Sequence, residues 1–421
     1  MKSKKISVIG LGYIGLPTAA VFASKKIKVI GVDVNQHVVD TINKGHTHIL
    51  EPDLDSLVSQ VVDQGFFKAT TIPETSDFFL ITVPTPLLKE TKQPDLSYIK
   101  TACFDIAPVL KSGNTVILES TSPVGTTEKI ANWLAEARPD LSFPQSSGED
   151  SDVHIAYCPE RVLPGKVLKE LITNDRVIGG MTAKCGELAE KLYKIFVKGE
   201  FILTNCRTAE MSKLTENSFR DVNIAFANEL SIVCDELNID VWELVSIANR
   251  HPRVNVLLPG PGVGGHCIAV DPWFIVSESP DHAKLIRTAR EINDFKPDWV
   301  LSKIKEAIGQ YLQENSNMTS EEMVIACYGL TFKPDIDDLR ESPALKIAEK
   351  VVSMHKGKVH LIEPYISKLP NKLFQSAILN DRSGASSAQI HVLLVDHSEF
   401  RNTKIKIKKE AKLIDTRGIR N

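Results

Sequence analysis

Residues 5–33 read KISVIGLGYIGLPTAAVFASKKIKVIGVD. Lys5–Ile9 is an apolar run of the kind a buried parallel strand needs. It enters Gly10-Leu11-Gly12-Tyr13-Ile14-Gly15, which opens a helical pattern from Leu16 to Ser24. A second apolar run, Lys28–Val32, ends at Asp33. This is G-x-G-x-x-G in a strand–turn–helix–strand setting, with an acid about 20 residues on. The glycines allow a tight turn and close approach of the backbone to a pyrophosphate, which would sit at the helix N-terminus. Asp33 would accept hydrogen bonds from the adenosine ribose and repel a 2′-phosphate, so NAD is expected rather than NADP. A glycine-rich turn in some other α/β protein is the competing reading.

Outward from that unit, further βα units follow. Phe78–Val83 reads as a strand ending in Pro84-Thr85-Pro86, and Thr115–Glu119 as one ending in Ser120 to Thr126. Ligands of open α/β sheets bind outside the carboxyl ends of strands, which puts Thr85, Thr121 and Thr126 within reach of one. Taken singly, each could equally be a turn or cap residue. Arg138–Asp152 reads as a polar surface loop. Val153–Tyr157 resumes a strand and ends in Cys158-Pro159-Glu160-Arg161, an acid and a cation that suit acid/base work or, equally, a plain ion pair. Arg176–Gly179 and Phe201–Thr204 complete the strands of this part.

Cys206–Leu237 has helical periodicity without glycine or proline, and Leu214, Phe219, Ile224, Phe226, Leu230 and Val233 supply apolar faces. Lys213, Asn217 and Arg220 fall on one face of it, as a solvated stripe or as a row facing a cleft. A second helix, Val241–Asn249, leads to Arg250-His251-Pro252-Arg253. Then comes GPGVGGHCIAVDP, residues 260–272. It sets Cys267 among glycines and four residues ahead of Asp271. A thiol in such a turn can be a presented nucleophile or a buried core group. Helical pattern resumes at His282, with a break expected at Pro297. After the polar stretch Asn315–Ser320, Met323–Cys327, a glycine turn, a helix Pro343–His355 and a strand Lys358–Ile362 ending at Glu363 repeat the opening layout. The triple glycine is missing, so a second α/β domain is expected without a second NAD site. Lys333, Arg340 and Arg417 lie in or after loops, where they can meet phosphates.

The chain has 421 residues, 43% of them hydrophobic and 24% charged, with net charge −3. Those values suit a globular protein of two or three domains and give no electrostatic case for nucleic-acid or membrane-surface binding. The seven cysteines show no metal-ligand spacing, which fits reduced thiols in the cytoplasm and no bound metal. Lys2, Lys4 and Lys5 ahead of the uncharged run Ile6–Ala23 resemble a signal peptide only superficially, because Gly10, Gly12, Gly15 and Pro17 interrupt it. No run approaches the ~20 apolar residues of a membrane span.

Seven collinear motifs carry a resemblance over almost the whole chain: GLGYIGLP (10–17), VPTP (83–86), ESTSPVGT (119–126), CPERVLPG (158–165), AEMSKLTENSFRDVNIAFANE (209–229), the cysteine loop, and YGLTFKPDIDDLRESPA (328–344). Together they resemble the UDP-glucose/GDP-mannose dehydrogenase family. The resemblance implies two Rossmann-like doubly wound α/β domains joined by a long central helix and a helical dimerisation region. The expected division is an NAD-binding domain over 1–204, a central domain with the cysteine loop over 205–314 and a UDP-sugar-binding domain over 315–421. His266 and Val270 stand where glucose-oxidising members typically carry serine and lysine, and Pro164 where they carry a second glutamate. These departures resemble the branch that takes UDP-N-acetylhexosamines.

The resemblance further implies oxidation of a sugar C6 alcohol to a carboxylate with two NAD reduced. Cys267 would hold the intermediate, Lys213 and Asn217 would stabilise its oxyanion, and Asp271 or Glu160 would activate the water that releases it. Cofactor contacts would fall on Gly10, Gly12, Tyr13, Ile14, Gly15, Asp33, Thr85, Thr126 and Arg340. Sugar-nucleotide contacts would fall on Arg161, Val162, Lys213, Asn217, Arg220, His251, Arg253, Gly264, Phe332, Lys333 and Arg417. A homodimer is implied, with the His251–Arg253 segment reaching a neighbouring subunit. A single-hydride hydroxy-acid dehydrogenase and a catalytically silent nucleotide-sugar sensor are the readings from other classes.

Overall fold

The computed structural model describes residues 4–88, 90–163, 165–265, 267–373, 376–403 and 405–420. By packing, the chain divides into two units: residues up to Glu216 with Trp273–Ser279, and Asn217–Pro272 with Pro280 onward.

The first unit is built on eight strands: β1 (Lys5–Ile9), β2 (Lys28–Val32), β3 (Phe67–Thr70), β4 (Phe78–Ile81), β5 (Thr115–Leu118), β6 (His154–Tyr157), β7 (Arg176–Gly180) and β8 (Phe201–Asn205). They lie in the order β3-β2-β1-β4-β5-β6-β7-β8, all parallel except for the antiparallel β6–β7 pair. Alternate residues of a strand face opposite sides, and both sides are apolar. Ile6, Val8, Leu80 and Ile117 join one buried cluster, and Ile9, Phe79, Ile81, Val116 and Leu118 the other. This double burial accounts for the uninterrupted apolar runs in the sequence. The helix Gly15–Ser24 is almost wholly buried, because Ala19, Ala20 and Ala23 let it lie close to the sheet. The chain runs outward from β1 through β2 to β3 on one side, then crosses back to β4 on the other side of β1. That is the topological switch at which such sheets bind ligands.

The second unit carries a parallel sheet in the order β11-β10-β9-β12-β13. Its strands are β9 (Ile325–Tyr328), β10 (Val359–Ile362), β11 (Ile378–Leu379), β12 (Ile390–Leu393) and β13 (Lys412–Asp415). Helices Cys206–Glu236, Val241–Ala248 and Lys284–Glu314 precede it. The doubly wound α/β class is borne out.

Two local expectations change. Pro297 does not break the helix, which runs unbroken from Lys284 to Glu314. Proline cannot donate to the carbonyl four residues back. Here that carbonyl, on Asn293, lies beneath the backbone of Gly262, where an added Cβ would sit 3.3 Å from it. Tertiary packing overrides the local cost. Arg138–Asp152 is not simply irregular: it holds two short helical turns, Pro144–Ser147 and Gly148–Asp150, and buries Phe143.

Candidate active site

The first unit holds the dinucleotide turn. Gly10 adopts φ +94°, a conformation that side chains disfavour. A Cβ on Gly15 would fall 1.9 Å from the Gly10 carbonyl and 2.4 Å from Thr82 Oγ1, so only glycine closes this turn. Thr82 Oγ1 donates to the Gly10 carbonyl at 2.6 Å and pins it. A Cβ on Gly12, by contrast, would meet nothing within 4 Å, leaving the turn open to a pyrophosphate. Tyr13 is exposed and Ile14 half-buried beside it. Asp33 caps β2 and accepts from Leu11 N at 3.0 Å and Asn35 N at 2.9 Å. The open Gly12 face and a carboxylate at the end of β2 fit an adenine dinucleotide with a free 2′-hydroxyl.

The carboxyl ends of β4 and β5 are tied together, since Thr85 Oγ1 donates to the Thr121 carbonyl at 2.6 Å. Thr126 is fully buried with its hydroxyl turned back on Pro123. It opens the helix Thr126–Ala137. The N-terminus of that helix is already capped from within: Glu210 accepts from Gly125 N at 2.6 Å and from Thr127 N at 2.8 Å. Burial raises the Glu210 carboxyl above its ordinary value although these donors pull the other way. Glu210 lies three residues before Lys213, whose side chain is buried too. Sequence reading missed Glu210; its place inside the AEMSK motif was the available signal.

Glu160 is committed on both oxygens. Oε2 pairs with Arg176 Nη1 at 2.6 Å and Oε1 accepts from Arg161 N at 2.8 Å. Arg176 lies over the Tyr193 ring, 5.1 Å from its centroid. Tyr193 in turn donates to buried Glu119. Burial pushes the Glu119 carboxyl up to about 7, with Arg176 drawing it down and Glu160 up. The guanidinium of Arg161 reaches Glu216 at 2.8 Å and the Asp175 carbonyl at 2.6 Å. Val162 packs against the core of this unit.

In the second unit, Cys267 is exposed while the other six cysteines are buried. Its carbonyl accepts from Asp271 N at 2.8 Å, joining the thiol turn to the start of the helix Asp271–Glu278. Asn217 Nδ2 donates to Asp271 Oδ2 at 2.5 Å, and both side chains are buried. The loop ahead of the thiol lies against the C-terminal sheet domain. A Cβ on Gly264 would meet Phe332 Cβ and the Glu341 carbonyl within 2.8 Å, and Gly265 N donates to the Arg340 carbonyl at 3.3 Å. The Arg340 guanidinium is held by Asp338. Arg417 pairs with Asp396 at 2.7 Å and reaches the Pro259 carbonyl at 3.4 Å, at the mouth of the same loop. Against burial, Arg417 and Arg401 hold the Asp396 carboxyl below the usual range.

Cys267, Asn217, Asp271, Gly264, Phe332 and Arg417 therefore gather on or around one loop. Lys333 is exposed beside Phe332. Arg220, His251 and Arg253 are exposed and are not drawn into that group. His266 and Pro164 lie outside the described residues.

A dinucleotide turn of this form marks an NAD-binding domain of the kind that dehydrogenases carry. Comparison with known proteins narrows the class. The chain matches the UDP-glucose/GDP-mannose dehydrogenase family in three parts: its NAD binding domain over residues 4–197, its central domain over 207–295 and its UDP binding domain over 326–421. It is 60% identical to the UDP-N-acetyl-D-mannosamine dehydrogenase of Yersinia pestis over the full length of both chains. It is also 60% identical to the NDP-N-acetyl-D-galactosaminuronic acid dehydrogenase of Ralstonia nicotianae, over 99% of this chain and 96% of that one. Among solved structures, the UDP-D-ManNAc dehydrogenase of Pyrococcus horikoshii superposes with TM-score 0.85 at 39% identity, over 99% of this chain and 96% of that one. The chain belongs to the UDP-glucose/GDP-mannose dehydrogenase family. No helix among the described residues is long and apolar enough to cross a membrane.

Proposed function

We propose that this protein oxidises the C6 alcohol of UDP-N-acetyl-D-mannosamine to the carboxylate, giving UDP-N-acetyl-D-mannosaminuronate and two NADH. The observation that carries the reading is the exposed Cys267, set one turn ahead of the buried Asn217–Asp271 pair. NAD, held at the Gly10–Gly15 turn and Asp33, supplies the hydride acceptor.

The protein's own part is as follows. Loss of a proton and a hydride from the C6 alcohol gives an aldehyde. The Cys267 thiolate adds to it, forming a C–S bond and an oxyanion. Lys213 and the second Nδ2 hydrogen of Asn217, the first being given to Asp271, donate to that oxygen. Loss of the second hydride leaves a thioester on Cys267. Water then attacks, the C–S bond breaks, and the thiolate returns. We assign activation of that water to Asp271, because its amide is bonded to the Cys267 carbonyl at 2.8 Å and its carboxylate is thereby held one turn from the thiol. Glu160 instead fixes the turn that carries Arg161 and Val162. Phe332, Lys333 and Arg417 would receive the uridine diphosphate, Arg220 and Gly264 the sugar, Thr85, Thr126 and Arg340 the cofactor. Leaving no free aldehyde between steps is what a covalent tether accomplishes.

The protein is further proposed to act as a homodimer. Phe219, Phe226 and Val233 recur every seven residues on the helix Cys206–Glu236 and are 68%, 56% and 43% exposed. Such a spacing makes one apolar stripe suited to a second helix, and His251 and Arg253 would be supplied across that contact.

The test is NADH formed per mole of UDP-N-acetylmannosamine, with the galacto and gluco N-acetyl epimers in parallel. Two NADH from the manno sugar alone, lost in Cys267→Ala, is the expected result. Two from the galacto sugar would transfer the reading to the activity for which the equally similar Ralstonia relative is named. One NADH, or full turnover in Cys267→Ala, would remove the covalent mechanism.

A further inference from the structure

The loop that presents Cys267 is rich in glycine, and Gly262 and Gly265 take φ values of +136° and +83°. Such a segment has little stiffness of its own. Something else must hold the thiol still, and a buried polar chain in the second unit spans its two ends. At the near end, Gly260 N donates to Asn228 Oδ1 at 2.8 Å. Asn228 Nδ2 donates to Asn293 Oδ1 at 2.8 Å, and Asn293 Nδ2 donates to Asp221 Oδ1 at 2.8 Å. Asp221 pairs with Arg290. At the far end Arg290 Nη1 reaches the carbonyl of Ile268, the residue after the thiol, at 3.4 Å. Asp221, Arg290 and Asn228 are 0% exposed and Asn293 is 1%.

Stability alone gives no reason for this arrangement, because apolar side chains of like volume in place of a buried ion pair are often as stable or more so. What a connected set of directional bonds adds is one geometry where an apolar core would allow several. Resting on the reading of Cys267 as the nucleophile, we propose that Asp221, Arg290, Asn293 and Asn228 are positioning residues. They fix both ends of the glycine loop and so set the Cys267 thiol at the distance and angle its addition to the aldehyde requires.

Two variants test this in the full-length protein. Asn228→Ala removes only the near anchor. The pair Asp221→Leu with Arg290→Met removes the far anchor without leaving a buried charge unpaired. Each is measured for kcat, KM for the sugar nucleotide, Kd for NAD and amide hydrogen exchange of the loop. A reacting group misplaced by about an ångström costs on the order of a hundredfold in rate. The expected result in both variants is therefore a fall of about tenfold to a hundredfold in kcat, far exceeding any change in KM. NAD Kd should stay unaltered and loop exchange should quicken. Undiminished kcat in the folded variants would overturn the proposal. So would a parallel loss of kcat, KM and NAD binding, which would mark a general structural role. Cys267→Ala is the control that separates the two ideas: if that variant still turns over, the nucleophile assignment has failed. If it is dead while the network variants run at full rate, only the positioning role has failed.

Discussion

Removing Arg176 gives a test of how the first unit tolerates its buried acids. In Arg176→Met the new side chain keeps apolar contact with Tyr193 and Phe196, whose ring centroids lie 5.1 and 5.9 Å from the guanidinium carbon. The charge is lost, and Glu160 and Glu119, 8% and 1% exposed, remain. Taking one partner from a buried pair costs about 3–5 kcal/mol, because the other charge stays desolvated. At roughly 2–4 °C per kcal/mol for a body of this size, the melting transition of the NAD-binding half should fall by about 6–20 °C near neutral pH. The deficit should also depend on pH. Glu119 has its folded carboxyl raised from 4.5 to about 7. The folded state therefore holds a proton that the unfolded chain has lost, and the stability linked to it is full at low pH and lost as pH rises through about 7. Without Arg176, which draws the Glu119 carboxyl down, that carboxyl moves further in the same direction. Calorimetry at pH 5 and pH 8 should find the variant's deficit smaller at the lower pH, and Glu160→Met combined with Arg176→Met should recover part of it. A shift under about 2 °C, or one equal at both pH values, would refute the reasoning.

Three further outcomes follow from the geometry. Asp33→Ala loses the acceptor of the Leu11 and Asn35 amides and would lose the expected ribose contact. Its NAD Kd, by calorimetric titration, should rise at least tenfold, since one hydrogen bond to a charged group is worth about 1.5–3 kcal/mol. Gly15→Ala places a methyl 1.9 Å from the Gly10 carbonyl, so NAD binding should be abolished; retained affinity would mean the turn is not the cradle. Glu210→Ala strands the Gly125 and Thr127 amides at a helix start. A loss of about 1–3 kcal/mol in urea denaturation is expected, and an unchanged midpoint would leave Glu210 with no capping role.

What could be read ahead of the structure was whatever local sterics dictate. Gly15 cannot be anything else in that turn, so the turn and its fold announce themselves in sequence. The helix Cys206–Glu236 was legible from its period. What that period could not give was the destination of each face: Phe219 and Phe226 look like core positions and are exposed. Pro297 misled because the fate of one carbonyl, on Asn293, depends on a loop some thirty residues earlier in the chain. The buried pairings of three charged residues were invisible for a similar reason. Glu210 meets Thr127 across 83 positions and Arg290 meets Asp221 across 69, and a buried charge cannot be distinguished from a solvated one until its partner is known. Glu160 was legible as an acid at a strand end but not as one half of a closed pair.

The second sheet domain repeats the first down to an acid closing its second strand, yet Glu363 faces inward. It accepts from Leu330 N at 2.7 Å and from His397 Nε2 at 3.0 Å, while Asp335 N donates to the other ring nitrogen of His397. With that acid fully buried against His397 and no triple glycine ahead of it, the described residues offer one dinucleotide cradle per chain. Under the proposed four-electron oxidation, two oxidants would then have to fill, empty and refill the same seat in turn. The half-oxidised sugar would have to outlast that exchange, which would make the time a substrate can wait on the enzyme as much a requirement of the fold as the chemistry it undergoes.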